Sequence, residues 1–239
     1  MKVALDSSLS FLQPLALAPS EFIRLGPNQD VGYVIPWVAL EKANGLLALG
    51  VGDNWDFEEQ WHILKPIDPI CAYDGAINYD YWTPVHYLRY QDFFGQYATH
   101  VNRNVSKMEN DCRFSDAFAQ LPALPVFIKC DIEGCEYQIV DEIVEVSSNI
   151  TGMAIEFNGT TGRKNFQIAV QTLLSEFSIA HLHGNNCSPL SDYNLPDTLE
   201  VTFLNKALCN TTSVRQNAYL QDLDFPNDIM SEDFILYFE

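Results

Sequence analysis

The sequence predicts a single open, doubly wound α/β domain with a mostly parallel sheet, and three observations carry that expectation. Apolar runs of strand length alternate with amphipathic stretches of helical period. Several runs end on a glycine or a carboxylate, as buried strands do where the chain turns sharply. The 239 residues suit one domain over 1–239, long enough to bury its core without covalent staples.

The elements follow in order. Residues 45–50 (GLLALG) read as a buried strand, and 69–74 (PICAYD) as a second one closing on Asp74. Between them, residues 55–64 fit a helix with Phe57, Trp61 and Leu64 on one face. Strand, helix and strand within about thirty residues make a βαβ unit, which requires parallel pairing. Residues 79–97 are dense in aromatics and read as a helix packed on the sheet; the alternative is a wall of rings facing a substrate. Residues 125–130 (PVFIKC) are a strand, followed by a helix that repeats Tyr137, Val140 and Ile143. A strand at 151–156 and a helix at 165–177 come next, then strands at 178–183, 199–204 and 234–238. The last two strands are expected to pair as an antiparallel edge near the C-terminus.

Composition narrows the function. Apolar residues make up 47% and charged residues 19%, a globular profile rather than a disordered one. The formal charge of −19 repels phosphate backbones and anionic membranes, so neither nucleic acid nor membrane is expected as a partner. No apolar run is long enough to span a bilayer, and Asp6 and several serines interrupt any leader-like stretch at the start. The six cysteines contain no CxxC pair, and Cys130 with Cys135 has neither zinc-ribbon nor redox spacing. Free thiols in a reducing cytoplasm are the expectation.

Ligands of open α/β sheets sit beyond the carboxyl ends of the strands, where the strand order switches. Four polar clusters fall there. Gly50-Val-Gly52-Asp53 allows a tight turn and a close backbone approach to a ligand. Asp74, about twenty residues on, is placed to accept hydrogen bonds from ribose hydroxyls. Lys129-Cys-Asp131-Ile-Glu133-Gly134-Cys-Glu136 gathers acids that repel one another unless a cation or donors meet them. Glu136 and Glu133 also suit the positive end of a helix, whereas Asp131 stands at the strand terminus itself. The fourth cluster joins Glu156 and Asn158 with His181, His183, Asn185 and Asn186, the two histidines sharing a strand face.

The segment FIKCDIEGCEYQIV resembles the central motif of FkbM-type methyltransferases: apolar strand, Lys, x, Asp, hydrophobic, Glu-Gly, x, Glu. Arg24-Leu-Gly26-Pro with Asp30-Val-Gly-Tyr33 is similar to an R-x-G…D-G-G-Y segment of methyltransferase-like relatives, with Val31 in place of one glycine. HLHGNN, followed by LPDTLEVTF, resembles their carboxyl-terminal part. Asp53 and Asn54 stand where another glycine is common. The resemblance implies a Rossmann-like class I methyltransferase with S-adenosylmethionine (SAM) bound at Gly50, Gly52, Asp53 and Asp74, its sulfonium near Asp131. It implies methyl transfer to oxygen on a small hydroxylated acceptor such as a sugar or glycan-linked metabolite. His183 is then the expected general base, because imidazole titrates near neutrality, with His181 in reserve. The rival mechanism is a divalent cation such as Mg²⁺ held by Asp131, Glu156, Asn158 and His183, by likeness to catechol-type O-methyltransferases. Two other classes stay open: a methyltransferase-fold binding module without catalysis, and an NAD-binding oxidoreductase, although the full dinucleotide fingerprint is missing.

Overall fold

The computed structural model describes residues 1–160, 162–191 and 194–239. In chain order the strands are β1 (Lys2–Leu5), β2 (Phe22–Leu25), β3 (Tyr33–Pro36), β4 (Leu46–Leu49), β5 (Ile70–Tyr73), β6 (Thr99–Val101), β7 (Val126–Cys130), β8 (Ile150–Asn158), β9 (Phe177–Gly184), β10 (Thr198–Asn205) and β11 (Ile235–Phe238). The helices are α1 (Trp37–Lys42), α2 (Asp56–Leu64), α3 (Pro84–Gln96), α4 (Phe114–Ala119), α5 (Glu136–Glu145) and α6 (Arg163–Leu173).

The main sheet has seven strands in the order β6-β5-β4-β7-β8-β10-β9. Strands β6, β5, β4, β7 and β8 are mutually parallel. Strand β10 runs antiparallel to both β8 and β9, so the reversed strand lies inside the sheet. The C-terminal pairing differs from expectation. Strand β11 pairs in parallel with β1 in a separate two-stranded sheet, rather than with β10. An apolar run fixes that a strand is buried, but not which neighbour or direction it takes.

Every residue of β4 and β7 is buried, as expected of strands covered on both faces. One face is covered by α4, α5 and α6, through Phe114, Ile139, Ile143, Phe166 and Leu173. The opposite face takes α1, α2 and the β2–β3 hairpin, through Leu40, Phe57, Trp61 and Tyr33. Helices on both faces make the sheet doubly wound.

Three local expectations change. Leu64 ends α2 exposed, because the chain turns away from the sheet there, and Phe177 opens β9 instead of closing α6. The aromatic segment is only partly core: Phe93 is buried, whereas Tyr81 is 86% exposed. Its inner rings gather on buried Trp55, with His86, Tyr90 and Phe94 all within 6 Å between centroids. Helix α3 itself starts cleanly, with Pro84 in the first turn and the Thr83 hydroxyl accepting the His86 N–H.

Candidate functional site at the carboxyl edge

The strand order switches between β4 and β7, and there the polar clusters converge. Gly50 leaves β4 with φ +75°, and a Cβ on it would lie 1.6 Å from the Asp131 carbonyl oxygen. Only glycine fits. Gly52 follows at φ +61° with nothing within 4 Å of a notional Cβ, so the turn is open on its outer side. Asp74 ends β5 and closes the turn: Oδ2 accepts the N–H groups of Val51 (2.9 Å) and Gly52 (2.8 Å), and Oδ1 that of Ala76 (2.7 Å). Asp53 is exposed beside it.

A cavity of about 320 Å³ opens against this turn, lined by Gly50, Tyr73, Asp74, Asn104, Asp131 and Ile132 among others. The acidic loop after β7 divides into two roles. Glu136 is 1% exposed, and its Oε1 accepts the N–H groups of Ile132 and Gly134, so it closes the loop at the start of α5. Burial pushes its carboxyl up to about 7 despite those donors. Asp131 instead lines the cavity. Its Oδ2 accepts the Tyr33 hydroxyl at 3.3 Å, and its Oδ1 is buried without a partner. Burial, only partly offset by Lys129, raises the Asp131 carboxyl to about 6.

Beyond β7 the edge turns strongly acidic. Glu156 of β8, Glu200 of β10 and His183 of β9 are lateral neighbours in register, so their side chains share one face. Oxygens of Asp30, Glu156 and Glu200 lie within 4.8 Å of one another. Burial, then the charges of Asp131, Glu200 and Asp30, raise the Glu156 carboxyl to about 9. Asn185 Nδ2 donates to Glu156 at 3.3 Å, and Asn227 Nδ2 donates to both Asp30 and Glu200. Asn227 is buried, and its Oδ1 has no partner.

Both histidines stand beside this cluster, and His183 is in a different state from the expected one. His183 Nδ1 lies 3.2 Å from Glu200 Oε2, and its Nε2 lies 3.1 Å from Asp233 Oδ1. Both nitrogens must carry protons to donate to two carboxylates. Burial opposes that charge, yet Glu200 and Asp233 outweigh it and hold the imidazole well above its ordinary pKa. An imidazolium has no lone pair with which to take a proton or bind a metal, so this arrangement disfavours both roles expected of His183. His181 is buried with Nε2 on the Asp224 carboxylate and its ring edge-on to Phe22. Asn158 turns to Thr198, whose hydroxyl donates to its Oδ1 at 3.2 Å. Of the expected metal set, only Glu156 belongs to the close carboxylate trio.

Asp30, Glu200 and Asp233 were missed as site residues. Glu200 had a signal, an acid near the start of the largely apolar strand LEVTFL. Asp30 had the D-G-G-Y-like segment it opens, which gave it no role, and Asp233 had no signal; both reach the rim from loops distant in sequence. Another hollow, of about 340 Å³, lies at the opposite edge of the sheet among Pro36, Trp37, Leu204 and Leu208, away from these groups.

No protein-family model matches the chain, and no curated protein matches it in sequence. Solved structures give distant likenesses. One is a precorrin-6y C5,15-methyltransferase from Geobacter metallireducens, 15% identical over 71% of this chain and 87% of that one, with a TM-score of 0.40. Another is the 23S rRNA methyltransferase ErmE, 14% identical over 71% of this chain and 65% of that one, with a TM-score of 0.42. Likenesses at this level carry no conclusion about the activity of this chain.

Proposed function

We propose that the protein is a SAM-dependent methyltransferase acting on oxygen of a small hydroxylated acceptor. The observation that carries this reading is the cavity at the switch point, where the Gly50–Gly52 turn, Asp74 and Asp131 meet in a sheet whose strand β10 is reversed. The dinucleotide-binding alternative rests on a parallel 3-2-1-4-5-6 sheet and a complete glycine fingerprint; β6-β5-β4-β7-β8 follow the first five positions of that order, but the reversed β10 takes the next place and the fingerprint is incomplete. A class I methyltransferase sheet carries one reversed strand near its C-terminal edge, as here.

The residues present fit the cofactor. The open side of Gly52 admits close backbone contact, and Asp74 keeps one lone-pair site, on Oδ1, for a ribose hydroxyl beyond the three N–H groups it accepts. The partnerless Oδ1 of Asp131 suits a cationic methionine end. Bound there, the cofactor supplies an electrophilic methyl group on a sulfonium.

The remaining tasks are alignment and removal of the acceptor proton. Asp131 takes the proton in this reading: its carboxyl, raised to about 6, is ionised at neutral pH yet basic enough to accept. Tyr33 orients it through the 3.3 Å hydrogen bond. Glu200, Asp30 and Asn185 offer acceptors and donors to sugar-like hydroxyls, while their charge discourages phosphate-bearing acceptors. The oxygen-only set of Asp30, Glu156 and Glu200, with Asn227 Oδ1 uncommitted, fits a hard divalent cation, which would neutralise the rim.

Calorimetry with SAM, S-adenosylhomocysteine (SAH) and NAD tests the cofactor. Binding of the two sulfur compounds without NAD is the expected result, and absence of heat with either sulfur compound would overturn the reading. Repeating the titration and turnover in EDTA tests the cation. Asp131→Asn is expected to weaken SAH binding and, at saturating SAM, to lose methyl transfer; full transfer by that variant at saturating SAM removes Asp131 as the base.

A further inference from the structure

The buried pair of Lys129 and Glu58 has no place in the chemistry above, yet the chain sustains it at the centre of its core. Lys129 is 1% exposed and Glu58 is fully buried. Their separation is long, 3.6 Å from Nζ to Oε1, and neither Glu58 oxygen has a hydrogen-bond partner. Buried ion pairs of loose geometry do not repay their desolvation, and apolar residues of similar volume commonly serve stability better. Stability therefore gives no account of why the pair is here.

The ammonium has one close contact, and it is with the turn. Lys129 Nζ donates to the Gly50 carbonyl at 2.7 Å. At Gly50 the chain is leaving the sheet: its N–H still donates to Tyr73, but the left-handed φ swings the next peptide off the ladder. A part-buried carbonyl freed in this way is stabilised by a donor from elsewhere. Lys129 supplies it from the neighbouring strand, two residues before Asp131 and on the same face. Asp74 holds the N–H groups of Val51 and Gly52, so the turn is gripped from two sides. Lys129 also lies 6.0 Å from the centre of the Tyr33 ring, whose hydroxyl donates to Asp131.

We propose that Lys129 is a positioning residue: by holding the Gly50 carbonyl it fixes the shape of the cofactor turn. Lys129 sets cofactor affinity rather than fold stability, an inference that rests on the methyltransferase reading for the identity of the cofactor.

The test is the full chain carrying Glu58→Leu together with Lys129→Met, compared with Glu58→Gln alone. Melting temperature, SAH affinity by calorimetry and amide exchange at residues 51 and 52 are measured. The double variant is expected to melt at or above the wild-type temperature. Its SAH dissociation constant should rise at least tenfold, and exchange at residues 51 and 52 should quicken at least tenfold. Glu58→Gln keeps the Lys129 bond and should retain SAH affinity within about threefold. Unchanged affinity and exchange in the double variant overturn the proposal, and so does failure of the double variant to fold, which would make the pair structural. Should the wild type bind neither SAM nor SAH, the methyltransferase reading fails, and amide exchange alone then decides whether Lys129 clamps the turn.

Discussion

The two halves of the carboxyl edge solve the problem of buried polar groups in opposite ways. Around β4, β5 and β7 side chains satisfy the backbone of the turns: Asp74 takes three N–H donors, Glu136 two, and Lys129 caps the Gly50 carbonyl. Around β8, β10 and β9 side chains face side chains. There Asp30, Glu156 and Glu200 meet with two amide side chains between them, Asn227 keeps an oxygen without a partner, and Asp131, at the end of β7, turns its own partnerless oxygen to the border of the two halves. The first half is preorganised, as a site for a bound cofactor must be. The second carries charge that an incoming group can balance. Backbone geometry limits the first half, and electrostatics limits the second.

The largest effect should come from breaking the backbone of the preorganised half. Gly50→Ala puts a Cβ 1.6 Å from the Asp131 carbonyl oxygen and demands the left-handed region. We expect a loss of about 3 kcal/mol or more, with no SAH binding. Chemical denaturation measures it, and a loss under about 1 kcal/mol would mean that the turn is not fixed as described. Asp74→Ala comes next, since it orphans three N–H groups at a partly open turn. A loss of about 2 kcal/mol is expected, together with much weaker SAH binding, both read on one purified sample.

The acidic half should respond to pH instead. Glu156 has a carboxyl raised to about 9 in the fold, against about 4.3 in an unfolded chain. Between those values the native state binds more protons, so stability falls as pH rises from about 4.5 to about 9. Glu156→Gln removes that proton exchange. Thermal melts from pH 5 to pH 9 should therefore slope less steeply for the variant, and parallel curves would show that the rim carries no stored charge. The smallest effect lies between the halves, at Val31. This β-branched residue takes φ +60° in the loop that delivers Asp30, where the resembling segment has glycine. Val31→Gly relieves the strain at some entropic cost, for a net gain of about 0.5–1 kcal/mol. A melting temperature below wild type would contradict this.

Much of the preorganised half was legible in the amino-acid sequence, and little of the acidic half was. Strands β4 and β5 are uninterrupted apolar runs and β7 is one broken only by Lys129, and they lead into Gly50, Asp74 and Asp131, so type and position go together. Short strands such as β6, three residues long, lack the length for a periodic signal. The rim depends on pairing. Glu156, Glu200 and His183 become neighbours only because β10 inserts between β8 and β9, and no local pattern encodes that choice. His183 shows why the difference matters. Its residue type suggests a base, but the carboxylates that hold it protonated stand 17 and 50 residues away.

A crystal structure of the protein with SAH bears most directly on the central claim, that the cavity at the switch point holds the cofactor. The account predicts the ribose at Asp74, the backbone of Gly50 to Gly52 against the ligand, and the amino-acid end beside Asp131. Ligand in the Pro36–Trp37 hollow at the opposite edge, or an empty switch-point cavity at saturating SAH, would contradict it.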